Sequence, residues 1–211
     1  IKFVDTFPTH AKADIVLGAA AEDLYAMQAF EQALGAGRRL LEDYPGADAE
    51  VTRTAWLVVA HASYEIEQFP DAELAYLKVL GLLPADDNSR AGLVDNLAAS
   101  IYKQGEQANA AKDYRAAADH FLRVGRMAPT SQIRATAEYD AAAALIELKA
   151  WEEAAAVLVE FRSLFPEHDL QPDVARKIAY VYNEDGKLSL AAREFERIET
   201  ETEVESVRRD A

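Results

Sequence analysis

Five times along the chain a large apolar residue is followed by a small residue three places on, and then by further members seven and ten places on. The rows are Phe30-Ala33-Gly37-Leu40, Phe69-Ala72-Tyr76-Val79, Tyr114-Ala117-Phe121-Val124, Trp151-Ala154-Leu158-Phe161 and Leu188-Ala191-Phe195-Ile198. In the first four a proline stands fifteen places after the first member (Pro45, Pro84, Pro129, Pro166), and in the fifth that place holds Glu203. The first members lie 39, 45, 37 and 37 residues apart. Self-similarity at this spacing marks a solenoid, in which each unit buries its apolar face against its neighbours. Places 0, 3, 7 and 10 form one stripe of a 3.6-residue helix, and the proline stops that helix. Each row therefore predicts the second helix (B) of a hairpin. Amphipathic segments upstream predict the first helices (A) at about 11–26, 49–67, 97–111, 131–148 and 173–184.

Composition agrees with an all-α chain. Half the residues are hydrophobic, alanine leads them, and alanine is the best helix former. No alternation of period two persists beyond a few residues. The formal charge of −15 repels phosphate backbones and anionic lipid, and beyond pairs such as Arg38-Arg39 and Arg208-Arg209 there is no basic patch to reverse it. We expect no nucleic-acid partner. Without cysteine the chain has neither disulfides nor thiolate metal sites. No apolar run approaches 18 residues, so no direct membrane insertion is expected, and no signal peptide is visible.

The rows resemble tetratricopeptide repeats, a helix–turn–helix unit with the pattern W-x2-L-G-x2-Y, then A-x3-F, then P. Trp56 takes the Trp place of the second unit, Gly105 the Gly place of the third and Tyr182 the Tyr place of the fifth, with Gly186 two residues before Leu188. The resemblance covers nearly the whole chain. It implies a right-handed superhelical solenoid of antiparallel helix hairpins with a concave face lined by A helices. On this reading residues 1–211 form one solenoid of about five repeats (11–46, 47–85, 86–130, 131–167, 168–203) plus partial repeats at both ends. The 45-residue step puts about eight extra residues around Pro84–Asn96, as a lengthened A helix or a loop before it, and makes this the least regular joint.

Both ends read as cut. Phe3-x-x-x-Phe7-Pro8-x-His10 repeats the form of Phe161-x-x-x-Phe165-Pro166-x-His168, so the chain is expected to open on the last turn of a B helix. Val204–Ala211 is expected to begin a sixth A helix. A stretch of a longer array is the favoured reading, also suggested by the start at Ile1. A complete domain with a frayed acidic tail is the alternative.

No constellation for catalysis is legible, and none for a cofactor or a metal. His10, His61, His120 and His168 are scattered in the repeat register, with His10 and His168 as structural echoes. There is no HExxH, no phosphate-binding loop and no nucleophile elbow. The expectation is a non-enzymatic protein.

In the family, groove-facing residues lie about 12, 8 and 5 places before the B-helix anchor. By that resemblance the candidate peptide-binding residues are Tyr25, His61, Tyr64, Tyr102, Glu106, Asn109, Tyr139, Arg176, Tyr180 and Asn183, beside Gly18, Glu22, Leu57, Ala143 and Ile146. Five of the nine tyrosines fall on these places. Tyrosine combines rigid contact area with a hydroxyl and is enriched at binding hot spots. The alternative is that the rings pack on adjacent A helices with only their hydroxyls wet. The Lys and Asn carboxylate clamp of some family members is missing, since Tyr102, Glu106, Tyr139 and Ala143 stand there.

The expected function is a protein–protein interaction scaffold that holds an extended peptide or a partner helix in its groove. The alternative is a structural self-association module, a homodimer through end hairpins or an apolar stripe. Helices ending in Tyr44-Pro45 or Phe165-Pro166 resemble extracytoplasmic repeat proteins of Gram-negative envelopes, which implies a bacterial periplasm or cell envelope; a cytoplasmic location is the alternative.

Overall fold

Every B helix begins at the first member of its row. The computed structural model describes the backbone of residues 1–209 and the side chains of residues 1–200. Eleven α-helices follow one another: α1 (Lys2–Thr6), α2 (Ala13–Ala26), α3 (Phe30–Asp43), α4 (Ala49–Glu65), α5 (Phe69–Leu82), α6 (Arg90–Ala110), α7 (Tyr114–Met127), α8 (Arg134–Glu147), α9 (Trp151–Leu164), α10 (Gln171–Glu184) and α11 (Leu188–Arg209). No strand occurs among the described residues. The even-numbered helices are the A helices, and α3, α5, α7, α9 and α11 are the B helices, so the chain is an all-helical repeat. The fold divides into two compact units, Ile1–Gln104 and Gly105–Ala211, with the boundary inside α6. In the first unit α2 packs on α3, α3 on α4 and α4 on α5; in the second α7 packs on α8, α8 on α9, α9 on α10 and α10 on α11.

One turn joins every A helix to its B helix. The residue two places before each anchor takes left-handed backbone: Gln28 (φ 61), Glu67 (φ 61), Lys112 (φ 61), Lys149 (φ 57) and Gly186 (φ 73). Around it the chain closes a Schellman motif. Ala29 N–H donates to the Leu24 carbonyl at 2.9 Å and Gln28 N–H to that of Tyr25 at 2.8 Å, and the pairs Gln68–Ser63, Asp113–Ala108, Ala150–Leu145 and Lys187–Tyr182 repeat the longer bond. Four units adopt this conformation without glycine, although a side chain there costs about 1–2 kcal/mol. The next residue is already the N-cap of the B helix. Asp113 caps with its side chain, accepting from Ala116 N–H at 3.1 Å, whereas Ala29, Gln68 and Ala150 make no such bond. Ala150 has the same backbone (φ −83, ψ 65, against φ −83, ψ 73 for Asp113) and no side-chain acceptor. We predict that Ala150→Asp raises the stability of the second unit by about 1 kcal/mol, read as a higher urea midpoint at unchanged slope; an unmoved midpoint would contradict the shared cap geometry.

The turn from B helix to next A helix also repeats. Phe7, Tyr44, Ala128 and Phe165, each before a proline, share φ near −130 and ψ near 60. Their carbonyls accept from His10, Ala47, Ser131 and His168 N–H at 3.0–3.1 Å. His10 Nδ1, Ser131 Oγ and His168 Nδ1 then accept the N–H two residues on, at 3.2, 3.4 and 3.2 Å. The expected echo of His10 and His168 is thus a shared turn-closing role. The rings agree: Phe3 to Phe7 is 5.5 Å and Phe161 to Phe165 is 5.0 Å, while Phe3–His10 and Phe161–His168 meet edge to face at 5.3 and 5.5 Å.

The row alanines are buried, Ala33, Ala72, Ala117 and Ala154 at 0% exposure and Ala191 at 3%. They let the paired helices approach closely. Gly105 is tighter still, because a Cβ on it would lie 2.5 Å from the Phe121 ring. Large row members are less uniform than the repeat predicts. Phe69, Tyr76, Phe121, Leu158 and Phe161 are buried, but Trp151 is only half-buried, and Leu188 (64%) and Phe195 (55%) are exposed.

Boundaries differ from expectation at three places. The third A helix starts at Arg90 rather than Leu97, so the long step is mostly extra helix: 21 residues against 14 in α2, α8 and α10. The fourth starts three residues late, after the turn held by Ser131. The sixth A helix expected from Val204 does not begin there, since α11 runs unbroken to Arg209. Glu203 replaces the proline that ends the other B helices, and nothing in the backbone chemistry stops the helix. The final two residues of that expectation lie outside the described residues.

Candidate functional site

In the first unit the candidate residues are tied together through aromatic rings. Tyr25, half-buried on α2, tilts against Phe30 at 5.5 Å and against His61 of α4 at 5.7 Å. His61 Nδ1 and the Tyr76 hydroxyl share a hydrogen bond of 2.7 Å, and their rings meet edge to face. Tyr64 stands edge-on to Phe69, the anchor of its own hairpin, at 5.3 Å. Tyrosines five places before the anchor thus brace the aromatic that starts the B helix. Tyr102, on α6, is half-buried.

Burial sets the protonation of this cluster. It pushes the His61 imidazole below its ordinary value, with the nearby Glu65 charge opposing. It raises the Tyr76 phenol strongly, helped by Tyr25, Tyr64 and Glu65. Both groups are therefore neutral at pH 7. Between the ordinary imidazole value of about 6.5 and the depressed one, the unfolded chain binds a proton that folded His61 refuses, so stability falls as pH drops through that window. We predict that the loss between pH 7.5 and 5.5, followed by thermal unfolding, is smaller in His61→Asn than in the parent. An equal loss would remove His61 from the pH response.

In the second unit the tyrosine of α8 is bound into the fold. The Tyr139 hydroxyl donates to Asp173 Oδ2 of α10, Lys177 Nζ stands 5.3 Å from the ring centre, and the Phe161 ring meets it edge to face at 6.4 Å. Burial would raise the Asp173 carboxyl, but bonds from Tyr139 and Arg176 and the Lys177 charge outweigh it and hold the group low. Arg176 also pairs with Asp173 at 3.2 Å. For Tyr139 the alternative stated from sequence describes the contacts: the ring packs against the next A helix.

Arg176, Tyr180 and Asn183 differ. They follow each other at i, i+4 and i+7 on α10, and all three are exposed, while Val174, Ile178 and Val181 of the same helix are buried. Tyr180 is 46% exposed, with its ring held perpendicular to Trp151 at 6.1 Å. Of the remaining candidates, Glu106 is half-buried and Asn109 exposed.

Sequence reasoning did not single out a cleft in the first unit. It has a volume of about 380 Å3 and opens between α4 and α6 over the end of α5. Of the groove places only Leu57 and His61 reach it; Arg53, Asp87, Ser89 and Asn96 complete its polar rim. The available signal was the 45-residue step, because the two added turns of α6 form one wall.

These turns, row alanines and close glycine contacts recur from unit to unit. The chain is a repeat of helical hairpins. No protein-family model matches the chain, nor does any curated protein sequence. Among solved structures, the MamA protein is similar at 16% identity over 93% of this chain and 96% of that one, with a TM-score of 0.47. The apo form of RapI is similar at 12% identity and TM-score 0.48, and this chain spans about half its length (55%). YrrB, described as a TPR protein with an unusual peptide-binding site, is similar at 16% identity and TM-score 0.43, over 93% and 89% of the two chains. Among the described residues no helix is long and apolar enough to cross a membrane, and no group of three His, Cys, Asp or Glu side chains could hold a metal ion.

Proposed function

We propose that the protein is a non-enzymatic interaction scaffold whose A-helix faces hold an extended peptide or a partner helix. One observation carries this reading: the exposed stripe Arg176-Tyr180-Asn183 on a helix whose face with Val174, Ile178 and Val181 is buried. Tyr180 offers a large ring already fixed by Trp151, so little conformational freedom is lost when a ligand stacks on it. Arg176 and Asn183, a turn away on either side, supply donors and an acceptor for a peptide backbone. Tyr25 and Tyr64 give the first unit braced aromatic edges of the same kind.

Peptides selected from a random dodecapeptide phage library on the full chain test this. We expect Tyr180→Asp combined with Asn183→Asp to weaken the selected peptides at least tenfold by fluorescence polarisation. Leu74→Asp, at an exposed position of the B helix α5, is expected to leave them unchanged. The reverse pattern would move binding to the B-helix face and overturn the proposal.

Phe195 favours a second reading, self-association through α11, because it is exposed while the equivalent Tyr76, Phe121 and Leu158 are buried in their rows. Sedimentation velocity decides it: a dimer dispersed by Phe195→Ser supports self-association, and a monomeric parent rejects it. The proposal extends to a bacterial envelope location, checked by fractionating source cells.

A further inference from the structure

The cleft between α4 and α6 exists because the third repeat departs from the others. At Leu83 the chain is extended (φ −94, ψ 143), unlike the other residues before a repeat proline. Asp87 N–H, rather than the residue before it, closes the turn onto Pro84. Arg90 then ties the new helix start to the end of α5, with Nη1 donating to the Leu80 and Leu83 carbonyls at 2.8 and 3.2 Å. Asp87 Oδ1 accepts from Ser89 N–H at 2.8 Å and from Ser89 Oγ at 2.5 Å. The walls are thus formed before any ligand arrives.

The floor and the rim differ in chemistry. Val79 (1% exposed) and Leu93 (8%) lie at the bottom with Leu57 and Leu83, giving a dry apolar base. At the rim, Ser89 bonds to one oxygen of Asp87, and Asn96 lines the cleft from α6. Arg53 shares the rim and its charge helps hold the Asp87 carboxyl low. An aliphatic side chain would fill the floor but leave the Asp87 and Asn96 acceptors facing its tip. An acidic one would meet Asp87, and a basic one Arg53. A ring with an apolar body and a donor at its tip satisfies both parts. A volume of about 380 Å3 lies at the small end of ligand pockets, the size for one large side chain and its adjoining main chain.

We propose that this cleft is a specificity pocket for one tyrosine or tryptophan side chain of a peptide held by the first unit, its O–H or N–H directed to the Asp87–Asn96 rim. The inference rests on the peptide-binding reading above. His61 links the two, since it lines the cleft and its ring tilts against Tyr25.

Peptides selected from the same library on the Tyr180→Asp, Asn183→Asp chain, in which the stripe of the second unit is blocked, test it. Gly92 lines the cleft, and a Cβ there meets nothing within 4 Å, so Gly92→Trp or the smaller Gly92→Leu should fold and fill the space. Circular dichroism checks that they do. We expect the selected peptides to share a tyrosine or tryptophan, to bind Gly92→Trp and Gly92→Leu at least tenfold more weakly than the parent, and to lose several-fold when that tyrosine is replaced by phenylalanine. Peptides without an aromatic residue, equal binding to the filled variants, or enrichment on the parent chain alone would overturn the pocket and leave the scaffold reading standing. If no peptide is enriched on the parent chain, both fall.

Discussion

Replacing Phe161 by alanine is expected to cost the second unit about 3–5 kcal/mol, the range for deleting a fully buried aromatic ring. The ring is 0% exposed and meets Tyr139 of α8 at 6.4 Å, Phe165 at 5.0 Å and His168 at 5.5 Å. Its loss therefore opens a cavity where α8, α9 and the turn into α10 converge. Helices flanked by such a turn cannot close the gap without giving up the Phe165 and His168 bonds that start α10. Because each hairpin leans on its neighbours alone, hydrogen exchange should show the protection lost first in α8, α9 and α10. A change below about 1 kcal/mol would mean that the ring is not the keystone its burial implies. Trp151, the largest residue of that row, should cost less on replacement, since it is only half-buried and its neighbour Tyr180 is exposed.

The second large effect runs the other way, through added volume. Gly105→Ala is expected to destabilise by about 1–3 kcal/mol, despite alanine's better helix propensity, because overpacking a closed contact forces helices apart. The new methyl would sit 2.5 and 2.6 Å from two ring carbons of Phe121, whose side chain is itself buried at 3% exposure. An aromatic ring edge cannot bend aside as a flexible chain end could. The double variant Gly105→Ala with Phe121→Leu should therefore be less destabilised than the sum of the two single changes, since the smaller residue vacates the space the methyl needs. Simple additivity in denaturant unfolding would show that the two positions do not press on each other. By contrast, a Cβ at Gly35 or Gly81 meets nothing within 4 Å, so alanine there should be harmless.

Much of this architecture was legible because it is local and repeated. A helix face needs apolar residues every three or four places, and a proline forbids helical continuation, so the rows located all five B helices at their first residue. The same logic explains the failure at Val204: without a proline there was no stop signal, and α11 continues. The A-to-B turns were less legible. Gly186 advertises left-handed backbone, but Gln28, Glu67, Lys112 and Lys149 adopt it too, held by the Schellman bonds rather than by residue preference. The A-helix boundaries were uncertain for a related reason, since Arg90 and Ser131 act through side-chain bonds that periodicity does not encode.

The candidate site divides along the same line. Register alone placed Tyr25, Tyr64, Tyr139 and Tyr180 on A helices, but register cannot say what each ring touches. Tyr139 is bound to Asp173 and covered by Lys177, whereas Tyr180 stands out from α10, and that difference arises from residues 34 and 29 positions away, Asp173 and Trp151 respectively. The 45-residue step marked the place of the cleft but not its existence: an insertion of helix and an insertion of loop have the same length in sequence, and only the packing of α6 beside α4 and the end of α5 makes one of them a wall. By itself, then, the sequence determined the repeating hairpin, its small-residue contacts and most of its breaks, because those follow from backbone geometry over a few residues. Tertiary structure decided which rings are spent on packing and which face outward, and where a cavity opens, because burial depends on neighbours far along the chain.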